Sequence, residues 1–157
     1  VSQTVCDVTV VEAACLLHDA GYVPGADDNE ERAAEHASRV LANRPSEMVE
    51  QVRQIIMDTK HHDPDLAHIE SVIVCDADML GFAVPWEEFL ALNDDIEREY
   101  LDSGIDKTAF DAGRLAFLRG ALEAASSGSL FHLGWRHGDR HHSAASNLRR
   151  LIALRTA

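Results

Sequence analysis

The chain has 157 residues, a length typical of one domain, and 46% of them are hydrophobic, which excludes a disordered or collagen-like chain. Asp and Glu number 27 against 14 Lys and Arg, so the acidic surface repels phosphates, and neither general nucleic-acid binding nor membrane binding is expected. The three cysteines have no CxxC spacing, which favours a reducing cytoplasm over a disulfide framework.

Hydrophobic residues at helical spacing predict a first helix over Val10–Asp19, and Gly21 is positioned to end it. Asp28, followed three residues later by Glu31, has the pattern of a capping box that opens a second helix reaching Ala42. The residues expected to face the core are Val11, Ala14, Cys15 and His18 in the first helix, and Ala33, Ala37, Val40 and Leu41 in the second.

A third helix is predicted from Pro45 to Lys60, and a fourth over residues 65–82. Residues 71–75 are apolar on nearly every side, so the fourth helix is expected to be central, with a short Val72–Cys75 strand as the competing interpretation. The expected inward residues are Met48, Val52, Ile55, Ile56 and Thr59, and then Leu66, Ile69, Ile73, Ala77 and Leu80.

The second half of the chain is also predicted to be helical. Pro85 suits the first turn of a fifth helix, Asp106 suits the cap of a long sixth one, and the last helix is expected over His142–Arg155. The expected core residues are Phe89, Leu92, Ile96 and Tyr100, then Phe110, Phe117, Ala121 and Leu122, and finally Leu148, Leu151 and Ile152. We therefore expect an all-α fold with a single helical domain over residues 1–157.

Polar clusters interrupt these apolar helices at His18-Asp19, Thr59-Lys60-His61-His62 and Asp76-Ala77-Asp78. Acidic groups and imidazoles that enter a core need a cation or a hydrogen-bond partner, so the clusters together predict one buried site for a divalent metal. Taken alone, His18-Asp19 also fits a packed histidine bonded to its neighbours at a helix end. His137 and His141 have the i, i+4 spacing of a metal pair, but Gly138 favours an exposed loop there.

Four segments resemble the HD superfamily of metal-dependent phosphohydrolases, and most closely its small predicted-phosphohydrolase members. They are AACLLHDAGY (13–22), DNEERA (28–33), IMDTKHH (56–62) and CDADMLG (75–81). The tail is similar too, at Leu130-Phe131, Trp135 and Asn147-Leu148. The resemblance runs over most of the chain and implies an HD-type all-α fold that hydrolyses a small phosphate ester, with nucleotides among the candidates.

The resemblance also implies roles for particular residues. His18 and Asp19 match the HD pair, and Asp78 matches the closing metal-binding aspartate, with Asp76 as the alternative or as a carboxylate that orients a ligand. The implied cofactor is a divalent ion (Mn, Mg, Co, Ni or Fe) that activates a water to attack phosphorus. Asp19 is expected to accept a hydrogen bond from that water.

A small phosphorylated substrate is the expected partner. Lys60 and His62, which we favour over His61, are expected to hold its phosphate, and Glu30 is expected to orient water or ligand. The alternatives are a solvated helix end for Lys60 and His62, and simple stabilisation of a helix N-terminus for Glu30. The sequence leaves the oligomeric state open, including a homo-oligomer.

One departure from the family pattern is that no histidine precedes His18, whereas the pattern begins with one on an upstream helix. An absent N-terminal helix, a substitute histidine and a decayed site all explain this, and the start at Val1 without Met favours the first. The departure supports an alternative function, a non-catalytic HD-fold ligand-binding or regulatory module. In a plain helical interaction domain, a further alternative, His18 and Asp78 would lie far apart.

Overall fold

The computed structural model describes residues 6–156, except for the side chains of residues 134–138. Over these residues the chain forms α-helices and one 3-10 helix and contains no strand, which confirms the all-α prediction and excludes the Val72–Cys75 strand. The helices are α1 (Val8–Leu17), α2 (Asn29–Val40), α3 (Ser46–Thr59), α4 (Ile69–Asp78), the 3-10 helix (Met79–Ala83), α5 (Trp86–Asp102), α6 (Lys107–Ser127) and α7 (Gly134–Arg155). None of the described helices combines the length and the apolar character needed to cross a membrane.

The chain divides into two compact units, unit 1 (Val1–Asp78) and unit 2 (Met79–Ala157), and the prediction of one domain stays a prediction. In unit 1, α1 to α4 enclose a core of small aliphatic side chains. The α2 contribution is alanine at 33, 34 and 37, and these small side chains let its backbone approach α3 closely. The buried members of this core are Val10, Ala14, Ala33, Ala34, Ala37, Val52, Ile55, Ile56 and Val74.

Unit 2 has its own core, built from the 3-10 helix and α5 to α7. Asn147 donates through Nδ2 to the carbonyls of Phe82 and Val84, at 3.0 and 2.8 Å, and so fixes α7 against the segment that leads into α5. The Asp106 carboxylate accepts from the backbone amides of Thr108 and Ala109, which confirms the predicted cap of α6.

Several predicted core faces are wrong by about one position. In α1 the buried residues are Val10 and Ala14, whereas Cys15 is exposed. In α4 the buried side chains include Val72, Val74 and Cys75, whereas Ala77 is exposed. Both helices are apolar on nearly every side, so their periodicity does not select a face. Other predicted core residues are largely exposed, namely Val40 at 55%, Leu66 at 71%, Leu92 at 42% and Phe117 at 46%.

Two predicted boundaries also differ from the structure. The capping box of α2 is absent, because Asp28 accepts no cap hydrogen bond and the Glu31 carboxylate pairs with Lys60 instead. The last helix begins at Gly134, so the predicted loop at residues 137–142 is helical. Packing of the more distal part of α7 on the core of unit 2 extends the helix through Gly138 despite the low helix propensity of glycine. The side chain of His137 lies outside the described residues.

Candidate metal centre

Three helix ends of unit 1 meet at the predicted site. His18 is the C-terminal cap of α1, His62 lies three positions beyond the end of α3, and Asp78 is the last residue of α4. A helix C-terminus carries a negative partial charge from its unpaired carbonyls. The C-terminal ends of α1 and α3 and the carboxylates of Asp19 and Asp78 therefore place negative charge around the cluster, which favours a cation.

The structure brings together the three residues predicted as metal ligands. The Nε2 atom of His18 lies 3.4 Å from Asp19 Oδ2 and 3.4 Å from Asp78 Oδ1, and one ligand atom from each residue falls within 4.8 Å of the others. An ion with bonds of about 2.1 Å separates adjacent ligand atoms by roughly 3.0 Å in an octahedron and roughly 3.4 Å in a tetrahedron. The two separations from His18 therefore match those between ligands of one ion. They also contradict the arrangement expected of a plain interaction domain.

The ring of His18 is oriented for binding through Nε2. Its Nδ1 lies 2.9 Å from the carbonyl oxygen of Cys15, and since a carbonyl only accepts, Nδ1 carries the hydrogen of this bond. When the ring is neutral, Nε2 therefore keeps its lone pair and faces the carboxylates. A hydrogen bond from the far ring nitrogen to a carbonyl is the usual way in which proteins orient a metal-binding histidine.

The carboxylate of Asp78 has a different partner for each oxygen. Oδ1 faces His18, whereas Oδ2 accepts a hydrogen bond from Nε2 of His62 at 2.7 Å. His62 has a positive φ of 51°, in the left-handed region that residues other than glycine rarely adopt. Asp76 is 2% exposed and does not belong to the cluster, so of the two aspartates considered in this segment the structure brings Asp78 to His18.

The electrostatics of the cluster favour a proton on His18 when no metal is bound. Polar contact with the Asp78 carboxylate, aided by the charge of Asp19, outweighs burial and raises the pKa of His18 to about 9. Burial alone would raise the pKa of Asp78, but the contact with His18 and the hydrogen bond from His62 hold this pKa well below its usual range. His18 is therefore protonated at neutral pH, and a metal ion must replace that proton.

The donor set and its exposure suit a first-row divalent ion that is open to solution. An imidazole nitrogen with two carboxylate oxygens is a mixed set that Ca²⁺, which prefers oxygen ligands only, does not favour. The side chain of Asp19 is 68% exposed, whereas that of His18 is 19% exposed. One side of the cluster is thus accessible to water and to a substrate.

The other predicted site residues lie near the end of α3 and the start of α2. Lys60 donates to the Asp27 carbonyl at 2.8 Å and to the Glu31 carboxylate at 2.5 Å, so its ammonium is already engaged. Glu30 lies in the first turn of α2, one position before the carboxylate that Lys60 contacts. The phosphate-binding role of Lys60 and the ligand-orienting role of Glu30 stay predictions.

Sequence reasoning missed two features of the site. One is the Cys15 carbonyl that orients His18, which no side-chain pattern signals because every residue has a carbonyl. The other is the hydrogen bond between His62 and Asp78, whereas the phosphate contact expected of His62 stays a prediction.

Comparison with protein-family models, with curated proteins and with solved structures finds no match for this chain. The described site itself defines a class, namely a solvent-open cluster of one imidazole and two carboxylates at the C-terminal ends of helices. A function must therefore be inferred from the residues of the cluster.

Proposed function

We propose that the protein is a metal-dependent phosphohydrolase of the HD type that acts on a small phosphate ester, with nucleotides among the candidate substrates. The observation that carries this proposal is the convergence of His18, Asp19 and Asp78 within 4.8 Å, although Asp78 lies far along the chain from the HD pair. A bound divalent ion (Mn, Mg, Co, Ni or Fe) supplies Lewis-acid polarisation of phosphate and a lowered pKa of water.

The residues of this chain divide the remaining work. His18 holds the ion through Nε2 while its Nδ1–H stays bonded to the Cys15 carbonyl. Asp19 has the most exposed carboxylate of the cluster, so its second oxygen is free to accept a hydrogen bond from the attacking water. Asp78 completes the set with Oδ1, on the more enclosed side of the site.

Electrostatics explain why an ion is needed for this substrate class. The chain has a net charge of -13, which repels a phosphate as it approaches. The nearby Lys60 is paired with Glu31, so a phosphate must compete with a carboxylate for that ammonium. Asp19 and Asp78 could hold a divalent ion, which would supply positive charge for the phosphate. The free thiols of Cys6, Cys15 and Cys75 suit a reducing compartment, and we place the activity in the cytoplasm.

The test is the Asp19→Ala variant, with Asp28→Ala as the matched control, because Asp28 is an exposed aspartate of unit 1 that is not part of the cluster. Elemental analysis after dialysis against Mn²⁺ or Co²⁺ measures bound metal, and a panel of nucleotides and sugar phosphates measures turnover. We expect metal and turnover in the wild type and the control, and neither in Asp19→Ala. Full metal-dependent turnover in Asp19→Ala would contradict the proposal.

A non-catalytic HD-fold module is the second candidate, and the engagement of Lys60 with Glu31 and Asp27 favours it, because this leaves less positive charge for a phosphate. In that case a phosphorylated ligand raises the melting temperature of the metal-loaded protein without being hydrolysed. The same panel separates the two functions, since stabilisation and turnover are measured on the same samples.

A further inference from the structure

We propose that His62 is a positioning residue that fixes the Asp78 carboxylate, so that only one of its oxygens is offered to the metal. This inference rests on the proposed function, because it assumes that the cluster binds an ion. Its basis is that the two carboxylate oxygens of Asp78 have different partners. Oδ2 lies 2.7 Å from His62 Nε2, and Oδ1 lies 3.4 Å from His18 Nε2.

The hydrogen bond also shows why His62 acts through Asp78 and is not itself a ligand. A carboxylate accepts, so Nε2 of His62 carries the hydrogen of this bond and has no lone pair to offer an ion. Among the described residues, the cluster whose ligand atoms lie within 4.8 Å of one another consists of His18, Asp19 and Asp78, without His62. His62 is therefore a neighbour of a proposed ligand.

The backbone of His62 adds an independent observation. It is the only residue other than glycine with a positive φ in the part of the chain that the structure describes. The left-handed conformation costs free energy for a residue with a Cβ, and such strain is concentrated at functional sites. Glycine would make this turn without strain, but it would not reach Asp78. The contact of the side chain with Asp78 therefore explains why this position has a histidine and not a glycine.

Fixing the carboxylate has a consequence for metal binding. A free carboxylate rotates and alternates between one-oxygen and two-oxygen binding, and it loses that freedom when an ion binds. With Oδ2 held by His62, Asp78 is already oriented and Oδ1 alone faces His18. Partners that orient metal ligands in this way typically raise metal affinity by about 10- to 100-fold.

The test compares His62→Asn with His61→Asn in the full chain. Asparagine tolerates a positive φ, but its amide ends one atom short of the histidine Nε2, so the contact with Asp78 is lost while the backbone is accommodated. His61 is the exposed neighbour and serves as the matched control. Titration calorimetry with Mn²⁺ measures affinity, the visible spectrum of the Co²⁺-loaded protein reports coordination, and urea denaturation reports stability.

We expect His62→Asn to bind Mn²⁺ about 10- to 100-fold more weakly and to change the Co²⁺ spectrum, with His61→Asn matching the wild type. A further pair, His62→Gly and His62→Ala, should differ in urea midpoint but bind Mn²⁺ equally weakly, since both lack the imidazole. If His62→Asn binds Mn²⁺ with wild-type affinity, the inference about His62 is overturned, while the proposed function is left intact. If the loss of Mn²⁺ affinity across the variants parallels the fall in urea midpoint, the inference is also overturned, because His62 then has a purely structural role. If the wild type binds no metal, the proposed function fails with it.

Discussion

Carboxylates are treated differently in the two units. In unit 2, the Glu97 carboxylate lies 2.8 Å from Arg155 and 3.2 Å from Lys107, and Asp111 contacts the same two cations. In unit 1, by contrast, the Asp78 carboxylate faces two imidazoles, those of His18 and His62. Both arrangements neutralise partly exposed acids, but they use different donors.

The identity of the donor decides whether a metal can enter. Arginine and lysine keep their protons near neutral pH. The acids of unit 2 therefore stay paired with a cationic side chain, and a metal ion would have to displace that side chain. An imidazole can release its proton and then offer a lone pair. The two units therefore show that a cluster of acids is not in itself a metal site, and that the groups facing those acids determine its chemistry.

The largest expected effect comes from removing one carboxylate charge in each region. Asp78→Asn removes a proposed ligand, and we expect affinity for Mn²⁺ to fall by about 100-fold or more, roughly 3 kcal/mol of binding free energy. Glu97→Gln removes a comparable charge from the network of unit 2, and we expect unchanged affinity. Titration calorimetry on both variants makes the comparison. Equal losses of affinity would show that the distinction between the two regions is wrong.

An intermediate effect is expected in the pH dependence of stability without metal. The pKa of His18 is 6.5 when unfolded and about 9 when folded, so its contribution is complete below pH 6.5 and disappears as the pH rises through 9. We expect a loss of about 2 kcal/mol over this window, because partial exposure reduces the full value of the shift. Asp78, whose pKa is lowered, contributes above its unfolded value and loses that contribution in acid.

Urea denaturation between pH 6 and pH 9.5 measures this loss. The His18→Asn variant should show a flatter profile, while His36→Asn, a substitution at an exposed position of α2, should follow the wild type. Saturating Mn²⁺ should reduce the slope as well, because an ion replaces the proton on His18. A His18→Asn profile as steep as that of the wild type would assign the pH dependence to other groups.

The smallest effect compares two helix N-termini. Asp106 accepts from two backbone amides of α6, so Asp106→Ala should cost about 1 kcal/mol of unfolding free energy. Asp28 stands at the corresponding position of α2 but makes no cap hydrogen bond, so Asp28→Ala should cost less than about 0.5 kcal/mol. Urea denaturation of both variants measures these costs. An equal cost for Asp28→Ala and Asp106→Ala would indicate that Asp28 does cap α2, as the sequence predicted.

Most of the helices were predictable, but several of their faces were not. The bounds of α3 and its buried residues Val52, Ile55 and Ile56 follow from a clear apolar stripe among polar residues. In α1 and α4 the apolar residues surround the axis, so only the neighbouring helices decide that Cys15 is exposed and Cys75 is buried. Glu31 is a second case that the local sequence could not predict. Its carboxylate pairs with Lys60, which lies far from it in the sequence, and does not form the capping box.

For the candidate site, the residue types by themselves indicated three polar clusters within apolar helices, and the resemblance to the HD superfamily then implied His18, Asp19 and Asp78 as ligands. Only the tertiary structure gave the 3.4 Å contacts of His18 with Asp19 and with Asp78, the carbonyl that orients the His18 ring and the contact from His62 to Asp78. Hydrophobic periodicity indicates only which side chains of one segment share a face of that helix. Distances between side chains on different helices depend on how α1, α3 and α4 pack, and no single segment contains that information.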